Sequence, residues 1–362
     1  MRMAAAATPV RPTAPGHSAR PPGETARPKL GDLRAAVPDR LRERSTGRAI
    51  AGLVRDLVLY GVTVAGALLA PHLVLQLACG VAAGLVVAAM FVWAHDAAHG
   101  ALFASDRTSE VLGTAMMLPS LQMYRLWQFG HNRVHHGFTG LTIIDWIWRP
   151  WSPAEYRAAS PAARFGYRIE RSALGCGWHY LRRVWWEGMV RFRPTTDRQR
   201  RAARRGRTLA TGWVVTATAG AWLIGGAGAV LAAVVVPWLV FTWVIAAVVY
   251  LHHTHPSRRF TADRSRWDPV TGQVTGSILI HTPAPVDRFF HHILVHTPHH
   301  LDSRIPYYHL PAAWQALRPA VAGLDVLEYR LDIATVRRTF AACKLYDDET
   351  QTWSSFRDLP VD

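Results

Sequence analysis

Two long uncharged stretches dominate the pattern of apolar and polar positions along the chain. Residues 57–94 form 38 consecutive residues without Asp, Glu, Lys or Arg, interrupted by Pro71-His72. Residues 208–251 form another 44, interrupted by the glycine-rich residues 225–228. A helix needs about 20 apolar residues to cross a bilayer core, so each stretch has room for two crossings and a tight turn. We therefore predict four transmembrane helices in two hairpins, at about residues 51–70, 73–94, 208–226 and 229–251.

Other structures explain these stretches less well. A buried hairpin of a soluble protein usually keeps a polar face, and the strands of a membrane β-barrel alternate apolar and polar residues over about ten positions. The sequence therefore predicts an all-α integral membrane protein with a helical cap at one membrane face. We expect a disordered basic segment at residues 1–49, a membrane domain at residues 50–320 and a C-terminal tail at residues 321–362.

The charge distribution predicts the orientation of this protein. Half of the 362 residues are hydrophobic and only 18% are charged, yet the formal net charge is +16. Residues 1–49 carry ten basic and four acidic side chains, and residues 149–207 carry fifteen arginines and four acidic side chains. An even number of crossings separates the two segments, so the positive-inside rule places both in the cytoplasm. We expect an inner (cytoplasmic) membrane protein with cytoplasmic termini. The arginines would face membrane lipids and not nucleic acid, since no nucleic-acid recognition motif accompanies them.

Histidines gather in four groups, which the predicted topology brings to the cytoplasmic face. The groups are His95 and His99; His131, His135 and His136; His252 and His253; and His296, His299 and His300. The first and third of these groups directly follow the second and fourth predicted crossings. An i, i+4 spacing places His95 and His99 on one helical face, and it predicts the same for His131 and His135.

This concentration of histidine predicts a site for two metal ions. A single histidine is more often a core or surface residue than a ligand. Many neutral imidazoles packed together, however, would need partners for their N–H groups, and charged imidazoles would repel one another. Metal coordination removes both problems, because neutral imidazole binds iron, copper, zinc and nickel. One tetrahedral zinc takes four ligands, so eight or more histidines imply two metals.

Three motifs carry a resemblance to a known family. They are His-Asp-Ala-Ala-His at 95–99, His-Asn-Arg-Val-His-His at 131–136 and His-Thr-Pro-His-His at 296–300. In this order, and separated by paired hydrophobic crossings, they resemble the three histidine boxes of membrane fatty acid desaturases. Residues 250–256 and 299–308 also resemble segments of acyl-lipid desaturases of the Δ12/ω-6 type. The resemblance covers about residues 50–320.

The resemblance implies a non-haem di-iron centre. Such a centre uses O2 and two electrons to remove two hydrogens from a fatty acyl chain, which leaves a C=C bond. Carried over by position, the ligands are His95, His99, His131, His135, His136, His253, His296, His299 and His300. His252 stands where the family commonly has Gln, so the ninth ligand is open between His253, His252 and His291. Asp96, Asp145 and Asp302 are candidates to orient ligands through the second ring nitrogen.

Several alternatives and partners follow from the same residues. The sequence has no His-Pro-Gly-Gly motif, so we expect no fused cytochrome b5 and a separate electron donor, either ferredoxin or a reductase. A hydroxylase, ketolase or acetylenase acting on a lipid or a specialised metabolite is the alternative among enzymes. A membrane metal transporter and a bis-histidine haem protein are the alternatives from other classes, but both would place histidines in mid-membrane.

Overall fold

The computed structural model describes residues 28–358, which are mostly helical. The α-helices of this part of the chain are α1 Leu30–Ala35, α2 Thr46–Leu69, α3 Leu73–Ala98, α4 Asp106–Met117, α5 Tyr124–Phe129, α6 His136–Phe138, α7 Pro153–Ala158, α8 Pro161–Glu170, α9 Cys176–His179, α10 Asp197–Val230, α11 Val236–His253, α12 Ala284–Phe289, α13 His296–Leu301, α14 Leu310–Leu317 and α15 Ile333–Ala342. Four π-helical segments accompany them, at Gly130–His135, Tyr180–Val190, Leu231–Val235 and Thr271–Thr275. Short 3-10 helices lie at Asp39–Arg42, Leu118–Ser120, Arg264–Arg266, Tyr307–His309 and Arg318–Val321.

Four short strands correct the prediction of an all-α protein. Strand β1 (Ile278–His281) pairs in parallel with β2 (Leu327–Arg330), and β3 (Leu345–Asp347) pairs antiparallel with β4 (Thr352–Ser354). Strands this short carry too little alternation to stand out from loops in the sequence. Because β2 pairs with β1, the predicted C-terminal tail is part of the folded body.

The N-terminal segment is also more ordered than the sequence predicts. The predicted disorder of residues 1–27 lies outside the described residues. Residues 28–49, in contrast, form α1, a 3-10 turn and the start of α2, and they bury Leu33, Val37 and Leu41 in the main hydrophobic core. Arg34 donates from Nε to the carbonyl of Leu301 at 2.7 Å, which ties α1 to the third histidine motif. Three apolar side chains spaced four residues apart were enough to order a segment whose composition is basic.

In the part of the chain that the structure describes, three helices are long and apolar enough to cross a membrane. They are α2, α3 and a continuous helix, Asp197–His253, that comprises α10, the π-helical segment after it and α11. The third leaves helical geometry at Gly225 (φ −152°, ψ 23°) and Gly226 (φ 62°, ψ −149°). A positive φ is readily adopted only by glycine, so the chain is interrupted within the glycine-rich stretch in which the sequence predicts a turn.

Helices α3 and α11 lie side by side and run in the same direction. Near the start of α11, a Cβ atom at Gly84 would lie 2.5 Å from Val240 Cβ and 2.8 Å from the carbonyl oxygen of Pro237. About two turns further along α3, the rings of Phe91 and Phe241 lie 5.3 Å apart. Both helices therefore deliver their C-terminal histidines to the same end of the molecule.

The close approach at Gly84 predicts a large effect of side-chain size. We expect Gly84→Leu to lower the apparent melting temperature, because overpacking at such a contact costs about 1–3 kcal/mol even though Leu favours helix. The matched control is Gly61→Leu on α2, where a Cβ atom would meet nothing within 4 Å. Thermal unfolding in detergent measures both; equal melting temperatures for the two variants would contradict the packing described here.

Candidate metal centre

The first histidine cluster is built around the C-terminal end of α3. It comprises His95, His99, His131, His136 and His299, each of which offers one ring nitrogen within 4.8 Å of all the others. His131 Nε2 lies 3.0 Å from His95 Nε2 and 3.1 Å from His136 Nε2. His299 Nε2 lies 3.2 Å from His136 Nε2.

His131 and His135, which the spacing predicts on one helical face, have ring centroids 5.3 Å apart but belong to different clusters. Residues Gly130–His135 are π-helical, and π-helical hydrogen bonds run between residues five apart. The wider turn brings His136 Nε2 to His131 Nε2, while His135 Nε2 lies beside His253 Nε2. Sequence spacing alone predicted an ordinary α-helical turn here.

The second cluster comprises His135, His253 and His300, whose offered nitrogens also lie within 4.8 Å of one another. His135 Nε2 lies 3.2 Å from His253 Nε2. His296 lies at the edge of this cluster, with its Nε2 3.2 Å from His253 Nε2. On the short helix α13, neighbouring residues point about 100° apart, so His299 and His300 face different clusters.

Hydrogen bonds orient the rings of the second cluster with Nε2 inward. His135 Nδ1 lies 3.1 Å from a carboxylate oxygen of Asp145, and His253 Nδ1 lies 3.1 Å from the carbonyl oxygen of Gly276. His300 Nδ1 lies 3.1 Å from Gln273 Oε1. Each of these oxygens accepts a hydrogen bond from Nδ1–H, which leaves the lone pair of Nε2 free toward the cluster.

The donor atoms fit two metal ions. Two ligands about 2.1 Å from a common ion lie roughly 3.0–3.4 Å apart, which matches the separations between the Nε2 atoms. Among the described residues, Nε2 of His99 and Nε2 of His300 are buried without any hydrogen-bond partner. Burial, and after it the charge of neighbouring histidines, holds the pKa of His131, His136 and His300 well below 6.5. The rings are thus neutral at physiological pH, the form that binds metal.

The three aspartates named from the sequence have different surroundings. Asp96 Oδ1 lies 2.9 Å from His95 Nδ1, and Asp145 contacts His135 as described. Asp302 instead accepts hydrogen bonds from Arg42 Nε at 2.8 Å and Arg304 Nη2 at 2.7 Å. Burial alone would raise the pKa of Asp302, but these arginine hydrogen bonds outweigh it and lower the pKa to about 2. Asp302 anchors arginines, whereas the sequence predicted a contact with histidine.

The two further histidines considered as ligands lie outside both clusters. The ring of His252 stacks on that of His296, with 3.7 Å between the centroids. His291 Nε2 lies 2.7 Å from a carboxylate oxygen of Asp56 and 2.8 Å from Arg55 Nη2. His291 therefore links α2 to the segment that precedes the third histidine motif.

Several residues that contact the clusters lie outside the set predicted from the sequence. Gln273 contacts His300, and it also donates to the carbonyl of His136. Trp127 stacks on His131 at 4.3 Å between ring centroids. Gln273 and Gly276 lie outside the three histidine motifs, and no sequence pattern marks them. Only the three-dimensional structure identifies them as partners of the clusters.

An apolar cleft, lined in part by α3 and α11, extends to both clusters. His95 and His131 of the first cluster and His135 and His253 of the second line it, together with His296. The remaining walls are mostly apolar and come from α3, α5, α11, the π-helical segment Tyr180–Val190 and residues 290–293. A mostly apolar lining of this kind suits an apolar ligand beside the histidines.

A second, polar cleft reaches the clusters through His136 and His300. Arg34 and Arg304, both exposed, line it together with Asn132, Gln273 and Trp267. The guanidinium of Arg264 lies 4.9 Å from the centre of the Trp267 ring. Asp302 also lines this cleft and pairs with Arg304, so the rim is polar with charges of both signs, and the cleft leads to one histidine of each cluster.

Comparisons with known proteins agree with this geometry. Residues 71–330 match the fatty acid desaturase family. The chain is 28% identical over 275 residues to the chloroplastic omega-6 fatty acid desaturase of Brassica napus, which covers 74% of this chain and 59% of that protein. It is 26% identical over 356 residues to the sn-1 oleoyl-lipid 12-desaturase of Synechocystis sp., covering 96% and 97%. The corresponding enzyme of Anabaena variabilis is 23% identical over 339 residues, covering 91% and 93%.

The matches differ in the share of each chain that they cover. The chain spans about 59% of the length of the Brassica relative but nearly the full length of the Synechocystis one. The family match covers well over half of this chain and contains all three histidine motifs. This confirms the resemblance stated from those motifs: the protein belongs to the fatty acid desaturase family.

Proposed function

We propose that this protein is a membrane-bound di-iron fatty acid desaturase, which removes two hydrogens from an acyl chain in an O2-dependent reaction. The observation that carries the proposal is the meeting of two clusters of buried imidazole nitrogens beside one apolar cleft. Bound iron would supply the oxidising power to break an unactivated C–H bond, which no side chain provides. Two hydrogens of the substrate, two electrons from a donor and two protons balance the reduction of one O2 to two waters.

The ligands divide between the two ions according to the clusters. We assign His95, His99, His131, His136 and His299 to one ion, and His135, His253 and His300 to the other, with His296 beside the second. Asp96, Asp145 and the carbonyl of Gly276 then fix ring orientations. Outer partners of this kind usually change metal affinity or activity about 10–100-fold when they are removed.

This assignment leaves His291 outside the ligand set. We expect His291→Ala to keep the metal content of the wild type while lowering thermal stability, because buried Asp56 loses a hydrogen-bonding partner. His253→Ala, in contrast, should lose metal. Metal analysis of both purified variants makes the comparison; equal metal loss in the two would place His291 among the ligands.

The chain's own residues position the substrate. The apolar side chains of α3 and α11, among them Phe91, Val92, Val244 and Val248, would hold the acyl chain and exclude water. The chain would lie beside His95 and His131 of one cluster and His135 and His253 of the other. No polar group needs to recognise the chain's interior, so the shape of the cleft selects which carbon lies nearest the metals.

The membrane arrangement follows from helix length. The 57 residues of Asp197–His253 would extend roughly 85 Å as one straight helix, against about 30 Å of bilayer core. We therefore propose two crossings, separated at Gly225-Gly226, and four crossings in two hairpins overall. The parallel course of α3 and α11 supports this, since both would end at the same face. The arginine-rich residues 149–207 favour a cytoplasmic metal centre in the inner membrane.

The polar cleft favours a separate electron donor. Electrons must reach metal ions that the protein surrounds, and this cleft leads from an exposed polar rim to His136 and His300. Arg34 in the lining, and Arg264 beside Trp267, would attract an acidic carrier of the ferredoxin type. The apolar cleft stays free for the acyl chain.

Product analysis tests the proposed reaction. A host that contains oleoyl lipids but has no desaturase acting on them should gain further unsaturated acyl chains when it expresses this protein. Relatives named as oleoyl-lipid 12-desaturases make oleoyl lipids the first substrate to examine. Mass spectrometry distinguishes the loss of two hydrogens from the gain of one oxygen, which would indicate a hydroxylase. Unchanged lipids in a host that supplies iron and reduced ferredoxin would contradict the proposal.

A further inference from the structure

A segment between the two hairpins packs against the N-terminal half of α11, away from the histidines at the C-terminal end of that helix. We call residues 173–190 the lateral segment; it comprises α9 and the π-helical residues Tyr180–Val190 with the three residues before them. Trp243 donates from its indole nitrogen to the carbonyl of Ala173 at 2.9 Å. The rings of Trp185 and Trp238 lie 5.2 Å apart. From the charge pattern we expected the whole of residues 149–207, which include this segment, to lie in the cytoplasm.

The position of these contacts along α11 gives their depth. Trp243 precedes His253 by ten residues and Trp238 precedes it by fifteen, which correspond to roughly 15 and 22 Å along a helix. The hydrocarbon core of a bilayer is about 30 Å thick. If α11 crosses the membrane with His253 at the cytoplasmic face, the lateral segment lies beside a part of α11 that is inside the bilayer.

The two sides of the lateral segment have different surroundings. On one side Tyr180, Val184 and Met189 line the apolar cleft. On the other, large apolar side chains are exposed: Leu174 is 90% exposed, Trp178 47% and Trp186 46%. This exposed surface continues onto Trp243 and Leu239 of α11, which are 43% and 47% exposed.

The charged side chains of this region pair with one another. Arg182 Nη1 lies 2.6 Å from Glu170 Oε1, and Arg183 Nη1 lies 3.1 Å from Glu187 Oε2. Pairing lowers the cost of holding these charges near lipid.

We propose that the lateral segment is immersed in the hydrocarbon core of the bilayer, which it enters from the cytoplasmic side, and forms the wall between bilayer lipid and the acyl cleft. Its partner is the acyl-chain region of the surrounding lipid. Leu174, Trp178 and Trp186 contact this region, while Tyr180, Val184 and Met189 contact the substrate. The proposal rests on the membrane crossing by α11 proposed above.

Depth measurement by spin labelling tests this arrangement without metal or turnover. Single cysteines replace Leu174 and Trp186 in a background with Cys79, Cys176 and Cys343 changed to alanine, and the labelled proteins are placed in lipid nanodiscs. Leu239→Cys on the exposed side of α11 is the membrane reference, and Ala262→Cys in an exposed loop is the aqueous reference. Power saturation compares the accessibility of each label to O2 with its accessibility to a water-soluble nickel complex.

The labels at 174 and 186 should resemble the label at 239, with O2 favoured over nickel several-fold relative to the label at 262. Aqueous behaviour at 174 and 186 together with membrane behaviour at 239 would overturn this proposal and leave the desaturase proposal intact. Aqueous behaviour at 239 would instead overturn the proposed crossing by α11. Leu174 is almost fully exposed, so its replacement should preserve the fold, and the melting temperature of the cysteine-free parent provides the check.

Discussion

Replacing His299 with alanine should reduce the metal content from about two ions per chain to one or fewer and abolish desaturation. His299 belongs to the cluster of five histidines and lies 3.2 Å from His136 between Nε2 atoms. Its removal opens the first cluster, and we expect the loss of activity to exceed the roughly 100-fold that outer-partner changes cause. Metal analysis and product analysis on the same purified preparation measure both effects.

A second histidine provides the matched control for this experiment. His309 lies beside Tyr308, with 4.9 Å between ring centroids, and belongs to neither cluster. His309→Ala should keep both metals and the activity. An enzyme that retains two metals and full activity after His299→Ala would exclude His299 as a ligand.

Filling the apolar cleft should strongly lower turnover while leaving the metals in place. Val248 of α11 lines the cleft without belonging to either cluster. We expect Val248→Trp to lower kcat/KM on an acyl lipid by about 100-fold, within the range that a misfitting group in a hydrophobic pocket produces. The metal content should equal that of the wild type.

The control for the cleft is Leu239→Trp, which enlarges a side chain on the exposed surface of the same helix. It should leave both metal content and kcat/KM close to the wild type. If Val248→Trp turns over acyl lipid normally, the substrate lies elsewhere and the cleft is not its binding site.

The sequence predicted the composition of the candidate centre better than its geometry. The four histidine groups do meet, and the two groups that follow the long apolar stretches reach the same end on the parallel helices α3 and α11. The partition between two clusters was not predictable, since it depends on the π-helical turn at Gly130–His135, which places His136 in one cluster and His135 in the other. Nothing in the spacing of these residues distinguishes a π-helical turn from an α-helical one.

Contacts between residues far apart in sequence account for the remaining differences between the predicted and the observed surroundings of the candidate site residues. Asp302 faces Arg42, 260 residues away, so its role depended on a contact that no local motif encodes. His291 similarly pairs with Asp56, 235 residues away. The lateral segment has mixed charge and apolar character, and only its packing against Trp238 and Trp243 indicates its depth.

Metal analysis of the wild-type protein tests the central claim most directly. The purified chain, expressed with ample iron and without chelators, should contain about two irons and little zinc. A preparation that contains zinc alone and still desaturates acyl chains would contradict the di-iron centre.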